Sequence, residues 1–283
     1  MDKRQHEKIA VVASGGGMSC AYAAGAMVAL ARELNFREPN FLIAGSGSTG
    51  TFAYFAAKQY GIIKRVWTDA LITRKFLNRF RLWRIIDVDY LIDVIMKQEN
   101  PVDMASVQAS PSELLVAATN ADTGKLTYFS DKEREDEEEI FELLRASKAM
   151  PVAFNKVISV DGGRYCDTEL SADLRAHIRE AVRRGATKVI AINNSVPRLE
   201  SSLAMGAWMR FQSKAFRERY REEWKAVTGY RVPEGVRLEL VAPKRGTPVS
   251  TLTSTKKGML ETYEMGYRDM LAHKGVRSLL EID

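Results

Sequence analysis

The chain has 283 residues and a net charge of +6, and no apolar run reaches the roughly 18 to 20 residues that a bilayer crossing needs. We therefore expect a single globular domain over residues 1–283, without a membrane span. Its two cysteines, Cys20 and Cys166, form neither a metal-binding spacing nor a disulfide framework. This cysteine usage predicts no metal site and a reducing, cytoplasmic location.

The charged residues are unevenly distributed along the chain. Residues 64–84 hold seven basic residues against one acid, whereas the run "DKEREDEEE" that begins at Asp131 is strongly acidic. The acidic run precedes "IFELLRAS", and carboxylates stabilise the positive end of a helix dipole, so it predicts the start of a helix. The chain has no nucleic-acid-binding motif, and this acidic run argues against a uniformly positive surface. We therefore expect no nucleic-acid partner.

In the first half of the chain, apolar β-rich segments alternate with helical ones. The strand-like "IAVVAS" precedes "SCAYAAGAMVALAREL", and "FLIAGS" precedes "TFAYFAAKQYG". This alternation predicts parallel strands joined by crossover helices. Residues 62–98 are expected to form a mostly helical insertion. The segments "ELLVAATNA" and "LTYFS", separated by the turn "DTGK", predict a β-hairpin.

The second half of the chain continues the alternation. We expect helices at about 135–147 and 172–184, and strands at "KVISVDGG" and "KVIAINNS". Residues 201–283 are expected to be mostly helical, with a long helix at about 201–227, the strand "RLELVAP" and a last helix at about 254–272.

The stretch "GSGSTG" predicts a tight turn between a strand and a helix. A serine at such a turn exposes its hydroxyl group beside the positive end of the helix, as in the nucleophile elbow G-x-S-x-G. With Ser48 at the centre, the pattern is Ser46, Gly47, Ser48, Thr49 and Gly50, and serine replaces the first glycine. Centring the pattern on Ser46 satisfies it less well. The alternative interpretation is an ordinary Gly/Ser-rich turn.

A second glycine-rich turn lies between the first strand and the first helix. Gly15, Gly16 and Gly17 are consecutive, which allows the amides of Gly16, Gly17 and Met18 to point at one spot in front of a helix. Such donors bind an oxyanion or a phosphate group. The dinucleotide-binding interpretation is weak because the glycines do not follow G-x-G-x-x-G and the second strand does not end in an acid.

A serine nucleophile needs a base, and "DGG" supplies a candidate at the end of a predicted strand. Asp161 would accept the proton, while Gly162 and Gly163 leave room beside it. Taken alone, "DGG" is as well explained by a simple turn. The histidines are expected on the surface, because none follows a predicted core strand: His6, His177 and His273.

These three motifs, in this order, resemble those of the patatin-like phospholipases, which use a Ser-Asp dyad without histidine. The segments "LLVAATNADTGKLTYFSD", "ASKAMPVAF", "LVAPKRG" and "ETYEMGYRDM" are also similar to family segments, so the resemblance covers nearly the whole chain. It implies that Ser48 is the nucleophile and Asp161 the base. It further implies an oxyanion loop at Gly15, Gly16, Gly17 and Met18, supported by the elbow residues Ser46, Gly47, Thr49 and Gly50.

This chain departs from the family pattern in two places. Family members usually carry a basic residue where this chain has Ser19, which puts phosphate binding beside the glycine loop in doubt. Ser46 replaces the first glycine of the elbow. Neither change removes a catalytic atom.

The segment "RKFLNRFRLWRII", residues 74–86, interleaves basic and aromatic residues. We expect a helix packed on the domain with solvated arginines. The alternative is an interfacial helix on an anionic membrane, with its aromatic side chains at the lipid surface and its arginines near headgroups: Phe76, Phe80, Trp83, Arg79, Arg81 and Arg84.

Together, these observations and the resemblance predict a three-layer α/β domain with a mostly parallel central sheet. They predict a serine acyl hydrolase that cleaves carboxylic esters of lipids and needs no cofactor. Two alternatives remain open: a thioesterase or acyltransferase with the same dyad, and a catalytically idle lipid-binding protein.

Overall fold

The computed structural model describes residues 7–81, 84–168, 172–194 and 203–282. A single mixed sheet forms its middle layer. Its strands are β1 (Ile9–Ala13), β2 (Phe41–Ala44), β3 (Glu113–Asn120), β4 (Leu126–Ser130), β5 (Ile158–Val160), β6 (Gly163–Cys166), β7 (Lys188–Ile192) and β8 (Arg237–Val241). Their order is β5-β6-β3-β2-β1-β7-β8, and β4 also pairs with β3.

The parallel part of the sheet brings two loop starts together. β3, β2, β1, β7 and β8 are parallel neighbours, whereas β4 and β6 run antiparallel to β3. Ala13 and Ala44 are register partners at the ends of β1 and β2. The glycine loop that follows β1 and the serine turn that follows β2 therefore leave the same edge of the sheet side by side.

Helices cover both faces of the sheet. They are α1 (Ala21–Arg32), α2 (Ser48–Ala56), α3 (Tyr60–Arg65), α4 (Met104–Ala109), α5 (Glu137–Lys148), α6 (Leu174–Arg183), α7 (Leu203–Arg210), α8 (Lys214–Thr228), α9 (Lys256–Ala272) and α10 (Lys274–Leu279). Short 3-10 helices span Gly17–Cys20 and Asp131–Glu133, and π-helical segments span Val66–Ala70 and Tyr90–Glu99.

Strand β1 shows how one strand supports both layers. Val11 and Ala13 belong to the core beneath α1, α2 and α9, while Ala10 and Val12 belong to the core beneath α6. This alternation follows from the two-residue period of a strand that is buried on both faces. The predicted three-layer architecture with a mostly parallel sheet is confirmed, as are the β3–β4 hairpin and the acidic start of α5.

The predicted helix over residues 74–86 is wrong. Its described residues, 74–81 and 84–86, contain turns but no helix, and Leu77 and Ile86 form an isolated antiparallel bridge. Trp83 lies outside the described residues. The Asn78 side chain accepts a hydrogen bond from the Phe80 amide, a local turn that competes with helix formation. We call residues 74–87 the basic turn segment. It closes because the Asp87 amide donates to the carbonyl oxygen of Phe76.

The predicted long helix over 201–227 is two helices, α7 and α8. Helix α8 begins just after Ser213, because the Ser213 hydroxyl group caps it by accepting a hydrogen bond from the Phe216 amide. Trp208, Phe216 and Trp224 pack in one apolar cluster on these helices, whereas the Met205 side chain lies outside the described residues. None of the helices in the described ranges is long and apolar enough to span a membrane.

Candidate active site

The turn after β2 presents Ser46. Its φ angle is 47°, a strained value for a residue with a side chain, and such strain is typical of a nucleophile elbow. The Ser46 hydroxyl group donates a 2.8 Å hydrogen bond to Oδ2 of Asp167. Both residues are buried. A serine and a carboxylate therefore meet at the edge of the sheet, but they are not the two residues that the motifs predicted.

Asp167 directly follows β6, which pairs with β3 two strands away from β1. The segment "ASKAMP" fixes both members of this pair. The Ser46 amide donates to the hydroxyl oxygen of Ser147 at 2.9 Å, and the Asp167 amide donates to the carbonyl oxygen of Ala149 at 3.0 Å. The two side chains are thus positioned by one short segment at the end of α5.

Ser48 has a different environment. Its hydroxyl group donates a 2.7 Å hydrogen bond to the carbonyl oxygen of Ser14 and accepts one from Nδ2 of Asn194 at 3.2 Å. Ser48 is the first residue of α2 and is fully buried. Its contacts connect the start of α2 to the end of β1, which is a structural role.

Asp161 lies at the tip of the β5–β6 hairpin, and its side chain is 51% exposed. Its carboxylate accepts two hydrogen bonds from the Arg134 guanidinium group, at 2.8 and 3.1 Å. Asp161 and Gly162 have φ angles of 49° and 74°, and Gly163 begins β6. Positive φ at both central residues is typical of a type I′ turn, for which Asp-Gly is a favoured pair. These contacts contradict the predicted pairing of Ser48 with Asp161.

The glycine loop lies against the turn that carries Ser46, because a Cβ atom on Gly47 would lie 2.9 Å from the carbonyl oxygen of Gly17. Gly16 and Gly17 have φ angles of 143° and 55°, and a Cβ atom on Gly17 would lie 2.4 Å from the carbonyl oxygen of Thr251. The Met18 amide donates to that same oxygen at 3.2 Å, so the structure contradicts its predicted role as an oxyanion donor. The carbonyl oxygen of Gly15 accepts from the Asn194 side chain.

Three amides near Ser46 have no acceptor within the described ranges: those of Gly16, Gly17 and Gly47. Gly17 and Gly47 line the same cavity as Ser46. Gly47 is also the N-cap residue of α2, so the positive end of that helix points toward the elbow. Unpaired amides beside a helix start are suited to an oxyanion. Thr49 supports the turn by donating to the Ser46 carbonyl oxygen at 2.9 Å.

Asn194, which the sequence reasoning missed, connects these loops. Its Nδ2 group donates to the carbonyl oxygens of Ser14 and Gly15 and to the Ser48 hydroxyl group, and its Oδ1 atom accepts from the Ala23 amide. The available signal was its position just after β7, because β7 is parallel to β1 and the two strands end at the same edge of the sheet.

A cavity opens in front of Ser46 and Asp167. Its empty volume is about 640 Å³, including space open to solvent. Its wall is mainly apolar and includes Trp67, Phe76, Val88, Leu91 and Met96. Gly50 also lines it. An extended apolar group would be buried here with its end at Ser46.

Lys148 is a second residue that the sequence reasoning missed. It is buried in the cavity wall, where its amine donates to Thr49 Oγ1 and to the carbonyl oxygen of Leu144. Burial lowers the pKa of Lys148 to about 7, although the Asp167 carboxylate opposes this change. The charge beside the Ser46–Asp167 pair therefore changes near neutral pH.

The expectation of surface histidines is wrong for His177. This residue is fully buried, its Nδ1 atom is 2.9 Å from the Tyr128 hydroxyl group, and burial lowers its pKa to about 4. It lies behind the elbow, near Gly45, rather than at the Ser46 hydroxyl group. His273 caps α10, and His6 lies outside the described residues.

Ser19, which stands in place of the family's basic residue, is buried and donates to the carbonyl oxygen of Val249 at 3.0 Å. Within the described ranges, no group of His, Cys, Asp and Glu side chains is arranged to hold a metal ion.

Comparison with known proteins supports this architecture. The model of the family described as patatin-like phospholipase matches residues 11–178, which is more than half of the chain. An uncharacterised protein of Escherichia coli K12, YjjU, is 25% identical over 205 residues, which are 68% of this chain and 53% of the relative. The chain therefore spans about half the length of this curated relative.

Two solved structures match this chain. Human GIVD cytosolic phospholipase A2, in complex with a methyl γ-linolenyl fluorophosphonate inhibitor, has a TM-score of 0.51 at 11% identity, over 99% of this chain and 60% of that chain. VipD of Legionella pneumophila has a TM-score of 0.47 at 12% identity, over 95% of this chain and 67% of that chain.

The chain belongs to the patatin-like phospholipase family.

Proposed function

We propose that the protein is a serine hydrolase of lipid carboxylic esters in which Ser46 is the nucleophile and Asp167 the base. The observation that carries this proposal is the 2.8 Å hydrogen bond between Ser46 Oγ and Asp167 Oδ2 in the lining of an apolar cavity. A nucleophile and a base within hydrogen-bonding distance satisfy the first geometric requirement for covalent catalysis.

In the first half of the reaction, the Ser46 hydroxyl oxygen attacks the ester carbonyl carbon and its proton passes to the Asp167 carboxylate. The amides of Gly47 and Gly17 stabilise the negative charge on the carbonyl oxygen. The ester C–O bond then breaks, and the departing alcohol takes the proton from Asp167. The acyl group is left on Ser46.

In the second half, Asp167 accepts a proton from water, and the resulting hydroxide oxygen attacks the acyl carbon. Collapse of this second tetrahedral intermediate releases the carboxylic acid and returns the proton to Ser46. The apolar cavity supports a lipid acyl group as the part of the substrate that binds beside Ser46, because burial of its chain stabilises the complex.

Two pairs of variants test this assignment with a neutral short-chain ester as substrate. Ser46→Ala should lower kcat by about a thousandfold or more, and Asp167→Asn should give a similarly large loss. Ser48→Ala and Asp161→Asn are the matched controls. Ser48→Ala removes two buried hydrogen bonds and should cost about 1–3 kcal/mol of stability, yet it should still turn over at 15 °C.

If Ser48→Ala remains folded by circular dichroism but is inactive while Ser46→Ala is active, the assignment is wrong. A folded wild-type protein without turnover on any oxygen ester or thioester would instead favour an idle lipid-binding member of the family.

A further inference from the structure

The basic turn segment contains two kinds of arginine. Arg81 donates to the carbonyl oxygens of Lys75 and Phe76, and Arg84 forms ion pairs with Asp87 and Asp89. These contacts hold the segment together. Arg81 and Arg84 are therefore unsuited to the membrane role that the sequence suggested for them.

Arg74 and Arg79 are different. Both are exposed, and within the described chain neither guanidinium group has an ion pair or a hydrogen bond. An arginine presents five N–H donors in a planar arrangement that matches the oxygens of a phosphate group. Two such groups on one segment are available to an anionic ligand.

These two arginines line a shallow groove between the basic turn segment and the loop before α9. The groove has an empty volume of about 700 Å³, including space open to solvent, and the described residues that line it include no acid. Thr73, Thr253 and Ser254 also line it. Phe80, which is 89% exposed, supplies apolar surface. We call this the arginine groove.

The arginine groove shares its walls with the cavity in front of Ser46. Phe76 and Thr251 line the cavity, and the residues that follow them, Leu77 and Leu252, line the groove. The cavity and the groove are therefore adjacent, so one ligand can place an apolar end in the cavity and a polar end in the groove. This arrangement matches a molecule that is apolar at one end and anionic at the other.

We propose that the arginine groove binds the phosphate group of a lipid headgroup through Arg74 and Arg79. The inference rests on the proposed function in that it places the ester of the same kind of molecule at Ser46. The phosphate belongs either to the substrate itself or to a neighbouring lipid of an anionic membrane, and these two sources share the same recognition chemistry.

Equilibrium binding tests the groove without depending on catalysis. On the Ser46→Ala background, titration calorimetry compares monomeric 1-octanoyl-glycerol-3-phosphate with 1-octanoyl-glycerol, which lacks the phosphate. The double variant Arg74→Gln/Arg79→Gln should weaken binding of the phosphate lipid about tenfold or more, because charge-assisted hydrogen bonds to phosphate are lost. Its affinity for the neutral lipid should change less than twofold.

The matched control is Lys125→Gln/Arg231→Gln, which removes the same charge from exposed residues that do not line the groove. An equal loss of affinity in this control would overturn the proposal, because long-range charge alone would then explain it. Co-sedimentation of the same proteins with phosphatidylglycerol and phosphatidylcholine vesicles distinguishes the two sources of phosphate. If Arg74→Gln/Arg79→Gln weakens binding to phosphatidylglycerol vesicles but not binding of the monomeric phosphate lipid, the groove binds a neighbouring lipid of the membrane.

Unchanged binding of both the monomeric phosphate lipid and the anionic vesicles by Arg74→Gln/Arg79→Gln would overturn the proposal. Turnover is measured separately with the wild-type Ser46 protein. Absence of hydrolysis there would count against the proposed function, whereas the binding comparison would still decide for or against the groove.

Discussion

Lys148 carries an ionisable amine in an apolar wall, beside Asp167. Its pKa falls from 10.5 to about 7 on folding. Between these pH values the unfolded chain binds more protons at this position than the folded chain does, so the stability of the fold rises with pH across this window. Below about pH 7 the full cost of burying the ammonium group is present.

We expect Lys148→Met to remove this dependence. As pH rises from 7 to 10, the unfolding free energy of the wild type should increase relative to that of the variant, by at most about 1.4 kcal/mol per pH unit. Urea denaturation at three pH values measures it, with the exposed Lys125→Met as the matched control. A difference that stays constant with pH would show that Lys148 is not neutralised by burial.

The choice between Ser46 and Ser48 shows what a sequence motif leaves undetermined. Counting glycines favoured Ser48, whereas the backbone places the strained residue of the turn at Ser46, with a φ angle of 47°. The residue types in "GSGSTG" do not specify which of the two serines adopts the positive φ angle at the turn. The hydrogen bond from the Ser46 amide to Ser147 depends on a segment a hundred residues later, so it was not available from the local pattern.

At the level of elements, α1 and α9 cross at two glycines. A Cβ atom on Gly25 would lie 1.9 Å from the carbonyl oxygen of Tyr263, and one on Gly266 would lie 1.9 Å from that of Tyr22. The two helices therefore approach each other more closely than any side chain at these positions allows. Since α1 follows the glycine loop, this contact also fixes the loop beside Ser46.

We expect Gly25→Ala and Gly266→Ala each to destabilise the fold by about 3 kcal/mol or more, because the added methyl group overlaps backbone atoms. Thermal unfolding measures the loss. Gly61→Ala in α3 is the control, since its Cβ atom would lie 3.4 Å from the end of the Arg32 side chain and alanine favours helix. Wild-type stability in Gly25→Ala would contradict the close crossing.

The β5–β6 hairpin explains why "DGG" points to Asp161 although the structure pairs Asp161 with Arg134 and Ser46 with Asp167. "DGG" follows a strand, as a catalytic acid should, but Asp-Gly is also the strongest signal for a two-residue hairpin turn. The return strand β6 ends at Cys166, so the next residue, Asp167, lies beside Ser46. The alternation of strands and helices was predictable from hydrophobic periodicity, whereas this four-residue strand was too short to show a period.

At the scale of the whole molecule, the site is assembled from three distant parts of the chain. The glycine loop follows β1, Ser46 follows β2 and Asp167 follows β6, and the sheet order β6-β3-β2-β1 brings them to one edge. The sequence indicated the parallel sheet and the first two loops. It did not indicate that β6 returns antiparallel to β3, which depends on long-range pairing rather than on local propensity.

The central claim is that the Ser46 hydroxyl group, activated by Asp167, is the nucleophile of this molecule. The most direct measurement is covalent labelling of the full chain with an alkyl fluorophosphonate, followed by peptide mass spectrometry to locate the adduct. We expect an adduct on Ser46 that forms much more slowly in Asp167→Asn and at an unchanged rate in Asp161→Asn. An adduct on Ser48, or labelling that persists in Ser46→Ala, would contradict it.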